Sequence, residues 1–494
     1  MPSGLSRRSF LGAAGLLAAR PGAFLRPAAG VLVNDVHSQL NETRVADIVS
    51  IDSVETLRRA LTRARREGRS VAIAGGRHAM GGQQFGTGAV LLDVRPLKRV
   101  LGLDREKGIV EVEAGIQWPE LMRRLREMQS GASPQWGIAQ KQTGADALTL
   151  GGALAANIHG RGLAMKPFIG DVESFTLLDA RGDKHECSRT REPELFALAA
   201  GGYGLFGVVT SLRLRLVPRR QLERVVELRT AEELMPAFER RIADGFLYGD
   251  FQFATDPASE DFLRRGVFSC YRPVDPATPA PEERRELSED DWRDLLSLAH
   301  ADKTAAFRRY AQYYLSTSGQ VYWSDTQQLG IYLDDYHRDL DRRLGRKERG
   351  TEMITEIYVP RQALPEFLGS VRDDFRANAV ELIYGTIRLI ERDDESFLAW
   401  AREPYACVIF NLHVVHSPAG KRFAENAFRR LIDLALERGG SYYLTYHRWA
   451  SRRQVEACYP RFPEFLRRKA LHDPDGRFQS DWYRHYRDMF GTGA

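Results

Sequence analysis

The sequence predicts a chain of mixed helix and strand, α+β or α/β, built from more than one domain. Three observations carry this. The 494 residues, 43% hydrophobic and 28% charged, suffice for two or more domains with their own cores. Short apolar runs alternate with helix-spaced segments through the first part of the chain. Near Pro218 the texture changes to long charged stretches, and strands return only after residue 350.

The elements follow in order. Residues 45–51 read as a strand, and 53–67 have helical spacing with Ser53 as N-cap. Strands are expected at 71–74, 89–93 and 109–113, and a helix at 118–128. Residues 148–216 are rich in glycine and short apolar strands. Residues 219–350 carry charged helical stretches and a tyrosine-rich segment at 310–336. The later strands are expected at 354–359, 381–390, 407–415 and 441–446.

Composition narrows the function classes. The 71 basic and 66 acidic residues give a net charge of +5, spread as a mixed solvated surface with no concentrated basic tract for nucleic acid. Cys187, Cys270, Cys407 and Cys458 lie far apart without a C-x-x-C pair, so no disulfide framework or zinc site is expected. At the N-terminus, Ser6-Arg7-Arg8-Ser9-Phe10-Leu11 opens a basic region followed by the small, apolar run 12–19. That run is too short to span a bilayer. It fits a twin-arginine export signal over 1–29 and hence a periplasmic or secreted protein without a transmembrane anchor. The twin-arginine route carries chains already folded around a cofactor.

Three glycine-rich segments carry the chemistry. The first, Ala74-Gly75-Gly76-Arg77-His78-Ala79-Met80-Gly81-Gly82-Gln83, places one histidine in a bare loop directly after an apolar strand. Such a loop lets backbone N–H groups approach a flat or anionic ligand. The second runs from Thr143 to Gly162 and includes Thr149-Leu150-Gly151-Gly152 and Ala156-Asn157-Ile158-His159. It allows close approach to a pyrophosphate and a planar ring, but it is not the G-x-G-x-x-G of a dinucleotide fold. The third, 194–210, ends in a glycine-spaced turn feeding Val208-Val209.

In this order the three segments resemble the FAD-binding domain of the vanillyl-alcohol oxidase and p-cresol methylhydroxylase (PCMH-type) flavoprotein superfamily. Residues 149–160, and the tail from Tyr459-Pro460-Arg461 through Asp473-Pro474-Asp475-Gly476-Arg477-Phe478, resemble its sugar branch of aldonolactone, alditol and decaprenylphosphoryl-ribose oxidases. The likeness covers about 48–217 and 352 to the C-terminus and leaves 219–350 unmatched. It implies an α+β fold: a two-subdomain FAD-binding domain over 40–218, an antiparallel-sheet cap with helices over 219–440, and a segment, 441–494, returning to the FAD domain.

The resemblance also implies roles. FAD is the cofactor. Ala74, Gly75, Gly76, Arg77, His78, Ala79, Met80, Gly81 and Gln83 would wrap its pyrophosphate. Gly144, Thr149, Leu150, Gly151 and Gly152 would line the other side, and Ala156, Asn157, Ile158 and His159 would pass along the isoalloxazine. Val208 or Val209 would meet the adenine half, and Tyr443 would touch the ring from the cap. In lactone and alditol oxidases a histidine at the place of His78 bonds to the flavin 8α carbon, so a covalent histidyl-FAD is expected here.

The reaction implied is hydride transfer from a CH–OH group of a sugar, polyol, lactone or glycoside to flavin N5, with a protein base taking the hydroxyl proton. Arg388 matches the arginine of a Glu-x-Arg pair whose glutamate is Thr386 here, a departure that weakens any claim to the same polyol. Alternation over 407–413 puts Cys407, Ile409, Asn411 and His413 on one face, with Asn411 and His413 as candidate substrate contacts. Tyr446 stands where the ribose oxidases have a lysine, and His447 where lactone oxidases have a histidine; either is a candidate base. Ile158 beside the ring would shield it from oxygen and favour a quinone or protein acceptor over oxygen. The alternative class is a non-catalytic, sugar-binding flavoprotein. Residues 219–350 are expected to select the substrate.

Overall fold

The structure, a computed structural model, describes residues 30–278, 285–330, 333 and 336–491. The twin-arginine segment therefore lies outside the described residues. The chain is mixed α+β, and the strands of the described residues form four sheets.

The first half supplies the cradle. A parallel three-stranded sheet places Val90–Asp93 between Asp47–Ser50 and Val71–Ala74. The helix Val54–Arg66 buries Leu57, Leu61 and Ala64, and Ser53 caps it by accepting from Thr56 N–H at 3.1 Å. The expected strand 45–51 is split at Ala46. Thr43–Val45 pairs antiparallel with Val31–Val33, while Asp47–Ser50 joins the parallel sheet. Beside it stands an antiparallel sheet in the order Lys184–Ser188, Val172–Leu178, Val208–Pro218, Ile109–Glu113, Val100–Asp104, with Trp136–Ile138 paired to the end of Val208–Pro218.

Past Pro218 the chain enters an eight-stranded antiparallel sheet. Its order is Val321–Trp323, Gln221–Thr230, Arg265–Pro273, Tyr248–Phe253, Leu382–Ile390, Tyr405–Val415, Gly350–Pro360, Ser441–Tyr442. Residues 219–350 thus hold four strands as well as the helices expected from their charge. Tyr248–Phe253 is buried throughout and Arg265–Pro273 along most of its length, which weakens their alternation, whereas Gln221–Thr230 alternates in burial over its first half.

Period two organises the strands that matter most. Along Tyr405–Val415, Phe410 packs against Phe367 and Phe375 of the helix Leu364–Ala377, on the helix-covered face. Cys407, Ile409, Asn411 and His413 face the other way. They stand opposite Tyr358, Glu356, Ile354 and Glu352 of Gly350–Pro360 in register. Arg388 and Thr386 of Leu382–Ile390 extend the same two rows beside Cys407 and Ile409.

The C-terminal segment closes the circuit. The strand expected over 441–446 stops at Tyr442, and residues 443–449 turn back toward the cradle. Further on, Val71 N–H donates to Arg477 O at 2.8 Å and Gln479 N–H to Val71 O at 2.9 Å, adding the tail to the edge of the parallel sheet. No helix of the described residues is long and apolar enough to cross a membrane.

Candidate active site

A cavity of about 830 Å³ runs from the parallel sheet to the cap. Its cradle end begins where Val71–Ala74 stops. A Cβ on Gly75 would lie 2.2 Å from Thr149 Oγ1, and one on Gly76 would lie 2.2 Å from the Ala147 carbonyl, so only glycine lets these two loops meet. Thr149 caps the helix Leu150–Ala156 by accepting from Gly152 N–H at 3.2 Å. Gly75, Gly76, Arg77, His78, Ala79, Met80 and Gln83 line the cavity, with Gly144, Thr149, Gly151, Gly152, Ala156, Ile158, Val209 and Tyr443. Tyr203 and Phe206 of the third segment line it too, as do Gln84 and Gln142, which were not singled out in the sequence.

Some expected contacts are placed elsewhere. Ala74 is fully buried in its strand, and Gly81, Leu150 and Val208 lie behind the wall. Val208 packs with Leu178 and Phe478 in the core under the parallel sheet, so Val209 is the one of the pair at the cavity. Asn157 is a clamp. It ends its helix in the left-handed region at φ 47°. Its Nδ2 donates to Asp393 at 2.8 Å, its Oδ1 accepts from Ile169 N–H at 2.9 Å, and its carbonyl accepts from Trp400 Nε1 at 3.0 Å. An Asn157→Ala protein is expected to unfold with about 2–3 kcal/mol less stability, read by denaturant titration, because Asp393 and Ile169 lose buried partners together.

His78 is buried, and desolvation first, then nearby His37, pulls its pKa down to about 3. It is a neutral imidazole throughout the physiological range. His37 Nε2 lies 2.7 Å from its Nδ1.

At the cap end the decisive side chain is one the sequence reading passed over. Glu356 is fully buried, and its carboxylate gathers four nitrogen and oxygen donors besides the Cys407 thiol. His159 Nε2 lies 2.8 Å from Oε2 and Tyr358 OH donates to the same oxygen at 2.9 Å. Tyr446 OH donates to Oε1 at 2.8 Å, with Gln142 Nε2 at 3.5 Å. Burial alone would raise its pKa, but His159, Arg388 and Tyr446 outweigh it and hold the carboxyl below its ordinary range. Arg388, also buried and lining the cavity, has Nε and Nη1 without hydrogen-bond partners among the described residues. Among the described residues Asn411 Oδ1 is likewise unpaired at the wall. The arrangement presents an ionised carboxylate, a phenol hydrogen-bonded to it and an unengaged guanidinium around one space.

The remaining catalytic candidates lie outside that space. His447 sits in an aromatic nest, its ring 4.2 Å from Phe428 and 5.7 Å from both Tyr442 and Trp449. Burial drops its pKa to about 3, and it does not line the cavity. His413 turns to a second buried carboxylate, Glu352, at 3.3 Å, and to Arg346 Nη1 at 2.7 Å from its Nε2. His159 is behind the wall and reaches the site only through Glu356. Cys407 lies beneath that pair, its Sγ 3.7 Å from His159 Nε2, with its thiol pKa pushed well up by burial.

Comparison with known proteins decides the cofactor. Residues 45–188 match the family model described as an FAD binding domain. Residues 45–188 are thus an FAD-binding domain of the PCMH type, and the protein is a flavoprotein. It is 26% identical to the L-gulono-1,4-lactone dehydrogenase of Mycobacterium tuberculosis over 439 residues, 88% of this chain and 95% of that one. It is 24% identical to the decaprenylphosphoryl-beta-D-ribose oxidase of Mycolicibacterium smegmatis over 89% of this chain and 94% of the relative. With the L-gulonolactone oxidase of Bos taurus it shares 29% over 42% of this chain and 45% of that one. These similarities support the sugar-oxidase branch, and the flavoprotein is an FAD-linked oxidoreductase.

The residues fit the cofactor. The glycine-lined end admits a flat ligand against backbone, and Arg77 Nε, Gln84 Oε1 and Gln142 Oε1 are buried there without partners among the described residues. An arginine and two amide oxygens suit a pyrophosphate and the polar edge of a flavin.

Proposed function

We propose that this flavoprotein oxidises a CH–OH carbon of a sugar lactone or a related carbohydrate, with FAD bonded through His78. The observation that carries the reading is the Glu356–Tyr446–Arg388 group at the cap end of a flavin-type cradle. The similarity to enzymes named for L-gulono-1,4-lactone and L-gulonolactone supports the substrate class.

Bound FAD supplies a two-electron acceptor for the hydride that leaves the substrate carbon. The chain's residues supply the rest. Arg388 donates to the substrate oxygen and holds it at the wall; Asn411 offers an acceptor to a neighbouring hydroxyl. Tyr446 OH accepts the hydroxyl proton while passing its own to Glu356, to which it already donates. Burial first, then Glu356, keeps the phenol pKa well above its ordinary value, so Tyr446 relays a proton without resting as phenolate. The helices Glu289–Ala301 and Lys303–Ser316 exclude water through Leu295, Leu296 and Phe307.

The experiment is an anaerobic one. Bleaching of the flavin by an aldono-1,4-lactone supports the reading, and unchanged absorbance across lactones, polyols and glycosides overturns it. For the linkage, yellow colour is expected to stay with acid-precipitated wild-type protein and to move to the supernatant in His78→Ala. Ile158, buried at the cavity wall, favours a quinone or protein acceptor over oxygen, so dye reduction is expected to exceed peroxide release. Export through the twin-arginine segment belongs to the same proposal; replacing Arg7 and Arg8 by lysine is expected to leave the protein in the cytoplasm.

A further inference from the structure

The segment ahead of the parallel sheet takes no part in the reading above, yet it reaches the cradle. Residues 34–41 fold around Asp35. Its Oδ2 accepts from Ser38 Oγ at 2.9 Å and Asn41 Nδ2 at 3.0 Å, and its Oδ1 accepts from His37 N–H and Gln39 N–H, both at 3.1 Å. This knot is fastened to the glycine loop on both sides of His78. Val36 N–H donates to the Arg77 carbonyl at 3.1 Å, and Asn41 Nδ2 donates to the Met80 carbonyl at 2.5 Å.

All of that scaffolding delivers one side chain to one place. His37 Nε2 stands 2.7 Å from His78 Nδ1, the ring centroids are 4.8 Å apart, and both rings line the cavity. Burial keeps both imidazoles neutral, His37 down at about 4 and His78 at about 3. The contact is therefore one shared proton between two neutral rings, not an ion pair.

We propose that His37 is the positioning residue for flavin attachment: it fixes the His78 ring and takes the Nδ1 proton while the other ring nitrogen bonds to the flavin 8α carbon. The inference rests on the covalent reading of His78. As that nitrogen commits its lone pair, the Nδ1–H of His78 becomes acidic, and a buried imidazolium would form without a counter-charge. Handing the proton to His37, and from there to solvent, removes that cost. The N–C bond forms, one methyl C–H breaks, and its proton is lost. The electron pair of that bond stays on the flavin, now reduced by two electrons. Dioxygen or a quinone then takes the pair and restores the oxidised ring.

The test follows attachment, not turnover. Protein made under flavin limitation is supplied with FAD, and acid-stable flavin is followed by in-gel fluorescence while total bound flavin is measured separately. His37→Ala and His37→Gln are both expected to bind FAD at wild-type stoichiometry but to link it about a hundredfold more slowly. Added imidazole is expected to restore the rate in His37→Ala, which a merely structural loss would not allow. If His37→Ala does not fold, His37→Gln decides, because glutamine keeps a hydrogen bond and cannot take the proton. Attachment at the wild-type rate in a folded variant, or no imidazole rescue of a folded His37→Ala, overturns the inference alone. Wild-type protein whose flavin is fully extractable overturns the linkage itself, and this inference with it.

Discussion

A Glu356→Gln protein is expected to keep its flavin and to reduce it with substrate about a hundredfold to a thousandfold more slowly than wild type, as loss of a general base costs. The substitution preserves volume, so the packing around Tyr358 and Cys407 stays. Tyr446 can still donate to the amide oxygen, but the amide cannot receive the proton that the phenol must pass on. The loss should therefore fall on the anaerobic rate of flavin reduction and leave flavin binding unaltered. The pH dependence has a definite sign. His159, Arg388 and Tyr446 hold the Glu356 carboxyl below its ordinary range against the opposing effect of burial. The ionised, proton-accepting form thus persists as the pH falls, and the acid limb of the wild-type rate should lie below the usual carboxylate range. A glutamine variant that bleaches at the wild-type rate would remove Glu356 from the mechanism.

Much of the cradle was legible because its signals are local. A glycine loop after an apolar strand, or Thr149 before Leu150-Gly151-Gly152, reports its geometry within ten residues of chain. The active-site carboxylate was not. Reading along Leu382–Ile390 finds Thr386 where the related enzymes have glutamate, and the deficit looks real. Across the sheet, Thr386 is level with Ile409, and Ile409 is level with Glu356. A carboxylate is present in the same row, two strands away, supplied by a segment 30 residues earlier in the chain. Only strand register reveals this. One local signal did exist: Glu352 and Glu356 stand on one face of a strand whose apolar residues include Met353, Ile354, Ile357 and Val359, and acids buried in such a strand call for partners.

The readings that moved did so for related reasons. His447 was chosen for its place in the resemblance to lactone oxidases, but the last strand ends at Tyr442 and the turn after it seats the His447 ring among Phe428, Tyr442 and Trp449. His413 does share a face with Asn411. It lies one step further along the strand, where Glu352 already collects His300 at 3.1 Å and His337 at 2.9 Å. His37 was invisible because a loop 41 residues upstream carries no periodicity that points to its destination.

An Arg388→Met protein is expected to lose about a hundredfold or more in the rate of flavin reduction, since it removes a charged donor from the developing oxyanion. The side chain stem is kept and the guanidinium is not. In the wild type two guanidinium nitrogens are buried without partners among the described residues, a cost that a ligand supplying the acceptor would remove. Arg388→Lys should recover only part of the rate, because one ammonium cannot present the planar pair of donors. A second effect separates this role from simple damage. Arg388 is among the groups that hold Glu356 ionised, so its loss raises the Glu356 pKa and moves the acid limb of the rate toward neutral pH. Glu356→Gln has no such limb to move. In the double variant the penalties should therefore fall short of multiplying, as expected for two groups that act on one proton and one oxygen. An Arg388→Met enzyme with an unshifted acid limb and a wild-type rate would place the arginine outside the reaction.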